Sequence, residues 1–302
     1  MPNSILGMTV LKDDSVDLLY NISDLPLYIK KEELAGFPKK RTAPHWNAGL
    51  ETVYIESGSM NITVNGKTIQ LNENDVCVIN AGCVHFFDSI DDQNCVYYCG
   101  IADESLYASA DGIKTRYLQP IFHSYHPNID IVRSTSRYSA QIRNVIRRIN
   151  LIITEKPTAY DLLATALFHE YIAILYTAMK DSFFVQDNPS NEKDEAIRKM
   201  IAYIHKNYSE PIRIEDLCEV GLIPRNRVFS LFKKYTDDSP ASFLLKFRLY
   251  KARAALITED TSISEIAESC GFTHQSHFTN HFTKYFGMTP LQFRKQHLRT
   301  KK

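Results

Sequence analysis

Several features that assign a chain to a special class are missing from this sequence of 302 residues. Its apolar runs meet a charged residue before they reach membrane-spanning length. The start of the chain lacks both the positive charge and the apolar run of a secretory signal peptide. We therefore expect a cytoplasmic protein that does not bind membranes.

Cysteine is sparse, and its spacing excludes one kind of site. None of the 6 cysteines forms a C-x-x-C pair, so we expect no zinc site built from paired cysteines and no disulfide framework. Cys95 and Cys99 leave two interpretations open. They are either a redox-sensing pair or, as we favour, small apolar residues buried in strands.

Net charge is the third missing signal, because 35 basic residues balance 35 acidic ones. The balance hides a division of the chain. Over 196–302 there are 18 Lys and Arg against 10 Asp and Glu, and over 1–195 there are 17 against 25. At this length two domains are expected, and a basic domain joined to an acidic one fits phosphate binding at one end. Two ordinary solvated surfaces would give the same counts, so the motifs must decide.

A pattern of helix, turn and helix occurs twice near the carboxyl end, over about 214–235 and 263–286. In the second copy, apolar residues recur at helical spacing on both sides of a break at Gly271. They are Ile263, Ile266, Ala267, Phe278, Phe282 and Phe286. The opposite face of the second helix is small and polar, which is what reading base edges in the major groove requires.

These residues resemble the signature of the AraC/XylS family of transcription regulators. The positions that carry the resemblance are Gly271, Phe272, Ser276, Phe278, Phe282, Gly287, Thr289, Pro290, Phe293 and Arg294. The upstream copy departs from the family at Cys218, where Ala is usual, and at Pro224, where a Ser cap is usual. The resemblance implies double-stranded DNA as a partner, a homodimer, and RNA polymerase as a further partner if the protein is an activator.

The family motif places eight residues on the DNA-facing sides of two recognition helices. They are Arg225, Asn226, Arg227 and Ser230 in the first helix, and His274, Gln275, Ser276 and Asn280 in the second. Arg pairs with guanine and Asn or Gln with adenine, so both helices carry base readers. Lys233, Lys234 and Lys284 are expected to contact phosphates.

The apolar pattern over 240–257 predicts one long helix between the two motifs. At 1.5 Å per residue it would span on the order of 25 Å. A rigid spacer of that size can hold two recognition helices about one DNA turn, roughly 34 Å, apart. One chain would then read two adjacent half-sites.

The first half of the chain reads as short strands separated by turns, with Asn65-Gly66 as a two-residue hairpin signal. Such a pattern predicts a small barrel or jelly roll. It resembles a cupin in the residues His45, Glu51, Gly58, Asp75, Gly82 and His85. A metal-binding cupin supplies two histidines one residue apart, a carboxylate and a later histidine. Asn47 replaces the second histidine here, so we expect a metal-free pocket, although three ligands can hold a metal.

The barrel is therefore expected to bind a small polar effector, most plausibly a sugar. The residues assigned to this site are His45, Trp46, Asn47, Glu51 and His85, with Tyr54, Phe86 and Phe87 as further flat apolar faces. The alternative is that these side chains only fill the barrel, as interior residues of small barrels usually do. We favour this alternative for Tyr54, Phe86 and Phe87, and the pocket for His45 and Glu51.

Two amphipathic segments, 138–154 and 159–179, predict an antiparallel helix pair that covers the barrel. Family members of this build often dimerise through such helices, although a stripe at helical spacing is more often core. The expected domains are a barrel over 1–130, the helix pair over 131–182, a polar linker over 183–195, and the DNA-binding domain over 196–302.

The fold class expected is multidomain α+β: a cupin-like barrel with a helical dimerisation segment, then an all-α domain with two helix-turn-helix motifs. The function expected is a sequence-specific transcription regulator that responds to an effector. It would be no enzyme and would need no cofactor or metal. Two alternatives stay open. One is a cupin metalloenzyme or metal sensor fused to a DNA-binding domain, and the other is a constitutive DNA-binding protein whose barrel only dimerises.

Overall fold

The computed structural model describes residues 25–47, 49–102, 106, 111–118, 121–122, 129–179 and 192–298, and the backbone of 8–10 and 16–18. By contacts, the chain divides into two compact units. One comprises Leu19–Asp194, and the other comprises Glu195–Lys302 together with Met1–Leu18. Residues 183–191 of the expected linker lie outside the described residues, and a helix has already begun at Glu192.

The first unit is built on two antiparallel sheets. Their strands are β3 (Leu27–Glu33), β4 (Leu50–Ser57), β5 (Ser59–Val64), β6 (Lys67–Asn72), β7 (Val76–Ile79), β8 (His85–Ser89), β9 (Val96–Ala102) and β10 (Ile129–Val132). The larger sheet has the order β10-β7-β4-β9-β3 and the smaller one β6-β5-β8. Two further strands, β1 (Met8–Val10) and β2 (Val16–Leu18), pair only with each other.

The Asn65-Gly66 turn joins β5 to β6 as expected. Both residues have positive φ, 47° for Asn65 and 78° for Gly66, which is the backbone that a twisted two-residue hairpin requires. The turn sets the register in which Val64 pairs with Lys67. A one-residue slip would expose the buried face of the hairpin. This turn therefore helps to fix the packing of the two sheets, which together are called the sandwich below.

Alternation along β4 gives the larger sheet two different apolar faces. Leu50 and Tyr54 belong to a core shared with the following helices, and the hydroxyls of Thr52 and Tyr171 lie 2.5 Å apart. Glu51 and Val53 point the other way because successive side chains of a strand alternate. They lie between the two sheets, where every residue has to pack or find a polar partner.

A helix pair covers the outer face of the larger sheet. It consists of α1 (Arg137–Glu155) and α2 (Tyr160–Met179), which agrees with the helices expected from the sequence. Ser136 caps α1 by accepting a hydrogen bond from the amide of Tyr138. The buried stripe of α1 is Ile142, Val145, Ile146, Ile149 and Ile153.

Helix α2 is long and apolar enough to cross a membrane by length and composition. Its buried side chains, among them Leu167, Phe168 and Leu175, pack in the core that joins the helix pair to the sheet. Core helices of soluble proteins pass the same test of length and hydropathy. Packing therefore accounts for part of the apolar composition of α2, while Leu162 and Leu163 stay exposed.

The second unit contains seven helices among its described residues. They are α3 (Glu192–Asn207), α4 (Ile214–Gly221), α5 (Arg225–Thr236), α6 (Pro240–Thr258), α7 (Ile263–Ser269), α8 (Gln275–Phe286) and α9 (Pro290–Leu298). The pairs α4–α5 and α7–α8 are the two expected helix-turn-helix motifs. Helix α6 is the single long helix expected between them.

Helix α6 contributes to the cores of both motifs. Near its start, Phe243 lies edge-on to Phe232 of α5, and Phe247 stacks on His205 of α3 at 4.2 Å between ring centroids. Near its end, Leu249 and Leu256 pack in one apolar cluster with residues of α7 and α8. A helix that is apolar around most of its circumference is buried on several sides.

Gly271 in the turn between α7 and α8 lies against the end of α3. Its φ is +79°, and a Cβ there would lie 2.7 Å from the carbonyl oxygen of Ser209 and 2.8 Å from that of Tyr208. The Arg248 guanidinium of α6 donates to the Tyr208 carbonyl at 2.7 Å and to the Glu210 carbonyl at 2.8 Å. This close approach fixes the second motif against the rest of the unit.

Replacing Gly271 with Ala is expected to destabilise the second unit more than Gly287→Ala. Both glycines have positive φ, but nothing lies within 4 Å of a Cβ at Gly287. Gly287→Ala should cost about 1–2 kcal/mol from backbone strain alone. Gly271→Ala should cost about 1–3 kcal/mol more, because the turn must move away from α3. Denaturant unfolding followed by circular dichroism measures both, and equal losses would show that the close approach contributes nothing.

Candidate DNA interface and effector site

The polar residues assigned to DNA reading lie on the outside of α5 and α8. In α8, Phe278 and Phe282 are fully buried, so the helix faces its core with these rings. All eight candidate base readers are exposed: Arg225, Asn226, Arg227, Ser230, His274, Gln275, Ser276 and Asn280. Both recognition helices therefore present the surface that base contacts need.

The N-terminus of α5 lacks the capping hydroxyl that is usual at this position. Pro224 is the N-cap residue and makes no side-chain hydrogen bond. The side-chain oxygen of Asn226 instead accepts a hydrogen bond from the amide of Arg227 at 3.0 Å. The same amide also donates to the carbonyl of Pro224 at 2.9 Å, and the Asn226 oxygen has a second lone pair that can accept a hydrogen bond from a base.

Arg225 and Ser230 also have partners within the protein. The Arg225 guanidinium donates to Glu215 of α4 at 2.9 Å, and the Ser230 hydroxyl donates to the carbonyl of Arg227 at 3.0 Å. Among the described residues, no hydrogen bond or ion pair engages the side chain of Gln275, Ser276 or Asn280 of α8. The candidate base readers of α8 therefore have fewer partners within the protein than those of α5.

The three lysines assigned to phosphate contacts are all exposed. Lys233 forms an ion pair with Asp237 at 2.5 Å, and Lys234 lies 4.6 Å from the ring centre of Tyr235. Lys284 lies in the last turn of α8. Exposed ion pairs are worth little, so Lys233 can exchange its carboxylate for a phosphate at small cost.

The residues assigned to the effector site meet between the two sheets. His85 Nε2 lies 2.7 Å from Glu51 Oε2, and Asn47 donates to the same oxygen at 2.6 Å. The rings of His45 and His85 lie 4.3 Å apart between centroids. All four of these side chains are more than nine-tenths buried. The structure therefore brings together residues that are up to 40 positions apart in the sequence.

Backbone carbonyls orient both histidines of this cluster. Nδ1 of His45 lies 2.9 Å from the Ala43 carbonyl oxygen, and Nδ1 of His85 lies 2.8 Å from that of Cys83. A proton on Nδ1 leaves Nε2 of His45 as an acceptor, which is how metal-binding histidines are usually held, whereas Nε2 of His85 donates to Glu51 Oε2. The ligand atoms of His45, Glu51 and His85 lie within 4.8 Å of one another. These three residues fit a divalent metal as well as a polar organic ligand.

Trp46 and Asn47 retain unused hydrogen-bonding atoms. Among the described residues, the indole Nε1 of Trp46 and the side-chain oxygen of Asn47 are buried without a partner. Buried polar atoms of this kind are rare in folded proteins and call for an explanation such as a bound group.

The cluster also contains a residue that sequence reasoning did not assign to it. Cys99 of β9 donates its thiol to Glu51 Oε1 at 3.1 Å. Strand β3 adds Lys30 directly beside Cys99 in register, and Lys30 pairs with Glu32 at 2.6 Å. The strand Leu27–Glu33 carries several charged residues, and its pairing with β9 shows which of them lie on the same face as Cys99.

The flat apolar residues expected at this site do not all reach it. Phe87 lies 5.8 Å from His85 between ring centroids, on the same face of β8. Tyr54 faces the helix pair, where the Arg147 guanidinium donates to its hydroxyl at 2.5 Å. Phe86 points to the other face of β8 and lies under the guanidinium of Arg41 at 4.1 Å. Alternation along β4 and β8 explains both displacements.

Burial and mutual charge set the protonation of the cluster. Burial lowers the pKa of His45 to about 4, and repulsion from His85 adds to this effect. Burial alone would raise the pKa of Glu51, but the charge of His85 and its hydrogen bond lower it to about 2. Burial alone would lower the pKa of His85, but Glu51 raises it above its ordinary value. The cluster at neutral pH is therefore a carboxylate beside a neutral His45.

Burial also bears on the possible redox pair. Cys95 and Cys99 are buried free thiols. Burial raises the pKa of Cys95 to about 12 and that of Cys99 well above its ordinary value. A thiol that stays protonated is a poor nucleophile. These observations favour the packing role for both cysteines.

The stability of the first unit should fall as the pH is lowered from 6.5 to 4.5. His45 takes up a proton near pH 6.5 in the unfolded chain but only near pH 4 in the folded one, whereas Glu51 stays ionised until about pH 2. The unfolded state thus binds more protons in this window, which lowers the free energy of unfolding by on the order of 2 kcal/mol. His45→Gln should remove most of this dependence.

The fluorescence of Trp46, the single tryptophan of the chain, can follow unfolding in denaturant at each pH. His169→Gln is the matched control, because His169 is an exposed histidine on α2 of the same unit. It should keep the slope of the unaltered protein. A His45→Gln variant with that same slope would contradict the assignment.

Comparison with known proteins gives the same two-part organisation. A family model described as an AraC-like ligand binding domain matches residues 33–172, and one described as a helix-turn-helix domain matches residues 218–296. The fold is also similar to the crystal structure of unsaturated fatty acid bound wild-type ToxT from Vibrio cholerae strain SCE256. That similarity has a TM-score of 0.50 at 12% identity and covers 89% of this chain and 94% of that one.

Two relatives match over most of their length. The uncharacterised helix-turn-helix-type transcriptional regulator YdeC of Bacillus subtilis (strain 168) is 23% identical over 259 residues, which is 83% of this chain and 85% of YdeC. The helix-turn-helix-type transcriptional activator RhaS of Yersinia pestis (strain Pestoides F) is 24% identical over 290 residues, which is 96% of this chain and 100% of RhaS.

These matches and the exposed recognition helices define a DNA-binding transcription regulator with a cupin-like ligand-binding domain. The protein belongs to the AraC family of transcription regulators. The expected family and fold class are thereby confirmed. The domain limits, the roles of single site residues and the identity of the effector stay predictions.

Proposed function

We propose that this protein reads two adjacent DNA half-sites with α5 and α8 and that a small effector in the sandwich regulates the reading. One observation carries the proposal. The polar sides of both recognition helices are exposed, while their apolar sides pack in cores to which the same helix, α6, contributes. Two reading surfaces on one rigid support are what recognition of neighbouring major-groove segments needs.

The length of α6 supports this arrangement. Its 19 residues span about 28 Å at 1.5 Å per residue. One turn of duplex DNA is about 34 Å, so the two recognition helices can enter successive segments of the major groove. Gln275 and Asn280 suit adenine and Arg227 suits guanine, while Lys284 suits a phosphate because a lone ammonium carries charge without a base pattern.

Gln275→Ala should relax the sequence preference, whereas Lys284→Ala should weaken binding to every sequence alike. The preferred duplex would first be selected from a random pool. Band-shift titrations at fixed salt then compare that duplex with a scrambled one. Gln275→Ala should cost about 1–3 kcal/mol on the preferred duplex and nothing on the scrambled one. A Gln275→Ala variant that loses affinity equally for both would refute the role of α8 in base reading.

The effector proposed is a carbohydrate. The site offers a carboxylate, an amide and two imidazoles around Glu51, and all are oriented by hydrogen bonds. The unused polar atoms of Trp46 and Asn47 can bond to hydroxyl groups, and the indole offers a flat apolar face. Small-molecule sites combine apolar walls with a few placed polar groups in this way.

A panel of mono- and disaccharides titrated into the protein, with heat and Trp46 fluorescence as readouts, tests this proposal. At least one sugar should bind, and Asn47→Ala should weaken it tenfold or more, since a buried polar partner is lost. Asn72→Ala is the control, because Asn72 is an exposed asparagine of the same unit and should change nothing. Binding of a fatty acid or a metal salt, with no response to any sugar, would overturn the carbohydrate assignment.

The second candidate for the same site is a divalent metal, which makes the protein a metal sensor. The observation that favours it is the convergence of His45, Glu51 and His85 within 4.8 Å. The loss of a histidine ligand at Asn47 argues against metal catalysis, which needs a well-filled set of ligands. We therefore propose a regulator in the cytoplasm without enzymatic activity.

Homodimer formation is proposed through the helix pair. Leu162 of α2 is 69% exposed, Leu151 of α1 is 53% exposed and Leu163 of α2 is 44% exposed. Covering exposed large apolar side chains with a second apolar surface lowers the free energy, so such a patch favours association. If the regulator is an activator, RNA polymerase is its further partner.

A further inference from the structure

Two histidines one turn apart on α8 direct their outer ring nitrogens at each other. The Nε2 atoms of His277 and His281 are 2.9 Å apart, and the rings lie 4.3 Å apart between centroids at an angle of 72°. Neither histidine was assigned a role in base reading. Their spacing is that of neighbours on one helical face.

This geometry matches chelation of a metal ion. Zinc–nitrogen bonds measure about 2.0–2.1 Å, and two such bonds meeting at 90° to 110° put the nitrogens roughly 2.9–3.4 Å apart. The observed 2.9 Å between the two Nε2 atoms, which are hydrogen-bonded to each other, lies within that range, so a metal ion would replace the shared proton without a change in the spacing of the nitrogens. Histidines at positions i and i+4 of a helix are a known zinc-binding arrangement.

The pair is reachable from solvent. His277 is exposed and His281 is half-buried, and both line an open groove of about 450 Å³ that also contacts Phe229 and Phe272.

The charges around the pair are basic. Arg213 and Arg248 line the same groove, and the guanidinium of Arg248 is held by the carbonyls of Tyr208 and Glu210. Among the described residues that line the groove, no carboxylate offers a third ligand. Ions that prefer oxygen ligands, such as Mg²⁺ and Ca²⁺, are therefore disfavoured, while ions that prefer imidazole are not.

We propose that His277 and His281 chelate a divalent transition-metal ion of the Zn²⁺, Ni²⁺ or Cu²⁺ type. The ion would keep its remaining coordination positions open to water. It would sit on α8, the recognition helix that also carries Gln275 and Asn280, at a place where DNA approaches in the proposed function. By linkage, any effect of the metal on DNA affinity equals the effect of DNA on metal affinity.

Equilibrium dialysis of the full chain against ZnCl₂ and NiCl₂, with the bound metal quantified, tests this inference. The double variant His277→Gln/His281→Gln should lose one bound equivalent relative to the unaltered protein. His274→Gln is the matched control, because His274 is an exposed histidine that precedes the same helix, and it should lose none. His85→Gln separates this site from the cluster in the first unit and should leave the equivalent on α8 in place.

The single variant His277→Gln keeps the half-buried His281 in place and should also lose the equivalent, with an unchanged melting curve. MgCl₂ in hundredfold excess should not displace the zinc. Unchanged zinc stoichiometry in both His277 variants, or displacement by magnesium, would overturn the proposal. Because dialysis needs no DNA, these results do not depend on whether the proposed DNA reading is correct.

Discussion

The burial of α6 is the constraint on which the second unit depends. Phe243 packs against the first motif and Phe247 against α3, while Leu249 and Leu256 pack in the core of the second motif. Because interiors are close-packed, a shift of one motif along α6 would open cavities under it. The polar sides of α5 and α8 therefore keep a fixed spacing, and the function proposed follows from that rigidity rather than from any single side chain.

The first unit depends on a different interaction, because it buries a charged carboxylate between its two sheets. Glu51 is compensated by His85, Asn47 and Cys99, so its negative charge has three partners within hydrogen-bonding distance. Removing one partner of a buried charge usually costs more than the interaction itself contributes. A ligand that enters this cluster has to replace those partners. Its binding would therefore change the hydrogen bonds of the strands that carry them.

Local pattern was sufficient for the helices and for the hairpin, because each is determined by neighbouring residues. The stripe of Ile142, Val145, Ile146 and Ile149 and the turn at Asn65-Gly66 are of this kind. The position of Cys99 beside Glu51 arises from pairing of β4 with β9, which no local window contains. Tyr54 faces the helix pair rather than Glu51, and because its neighbours are buried on both sides of β4, apolar alternation gives no signal for its direction.

The central claim is that one chain reads two successive turns of DNA, and chemical interference mapping tests it most directly. On a duplex selected from a random pool, modified bases that block binding should fall in two clusters about 10 base pairs apart, on one side of the helix. Arg227→Ala should erase one cluster and leave the other. A single cluster, or the loss of both clusters with that substitution, would contradict the account.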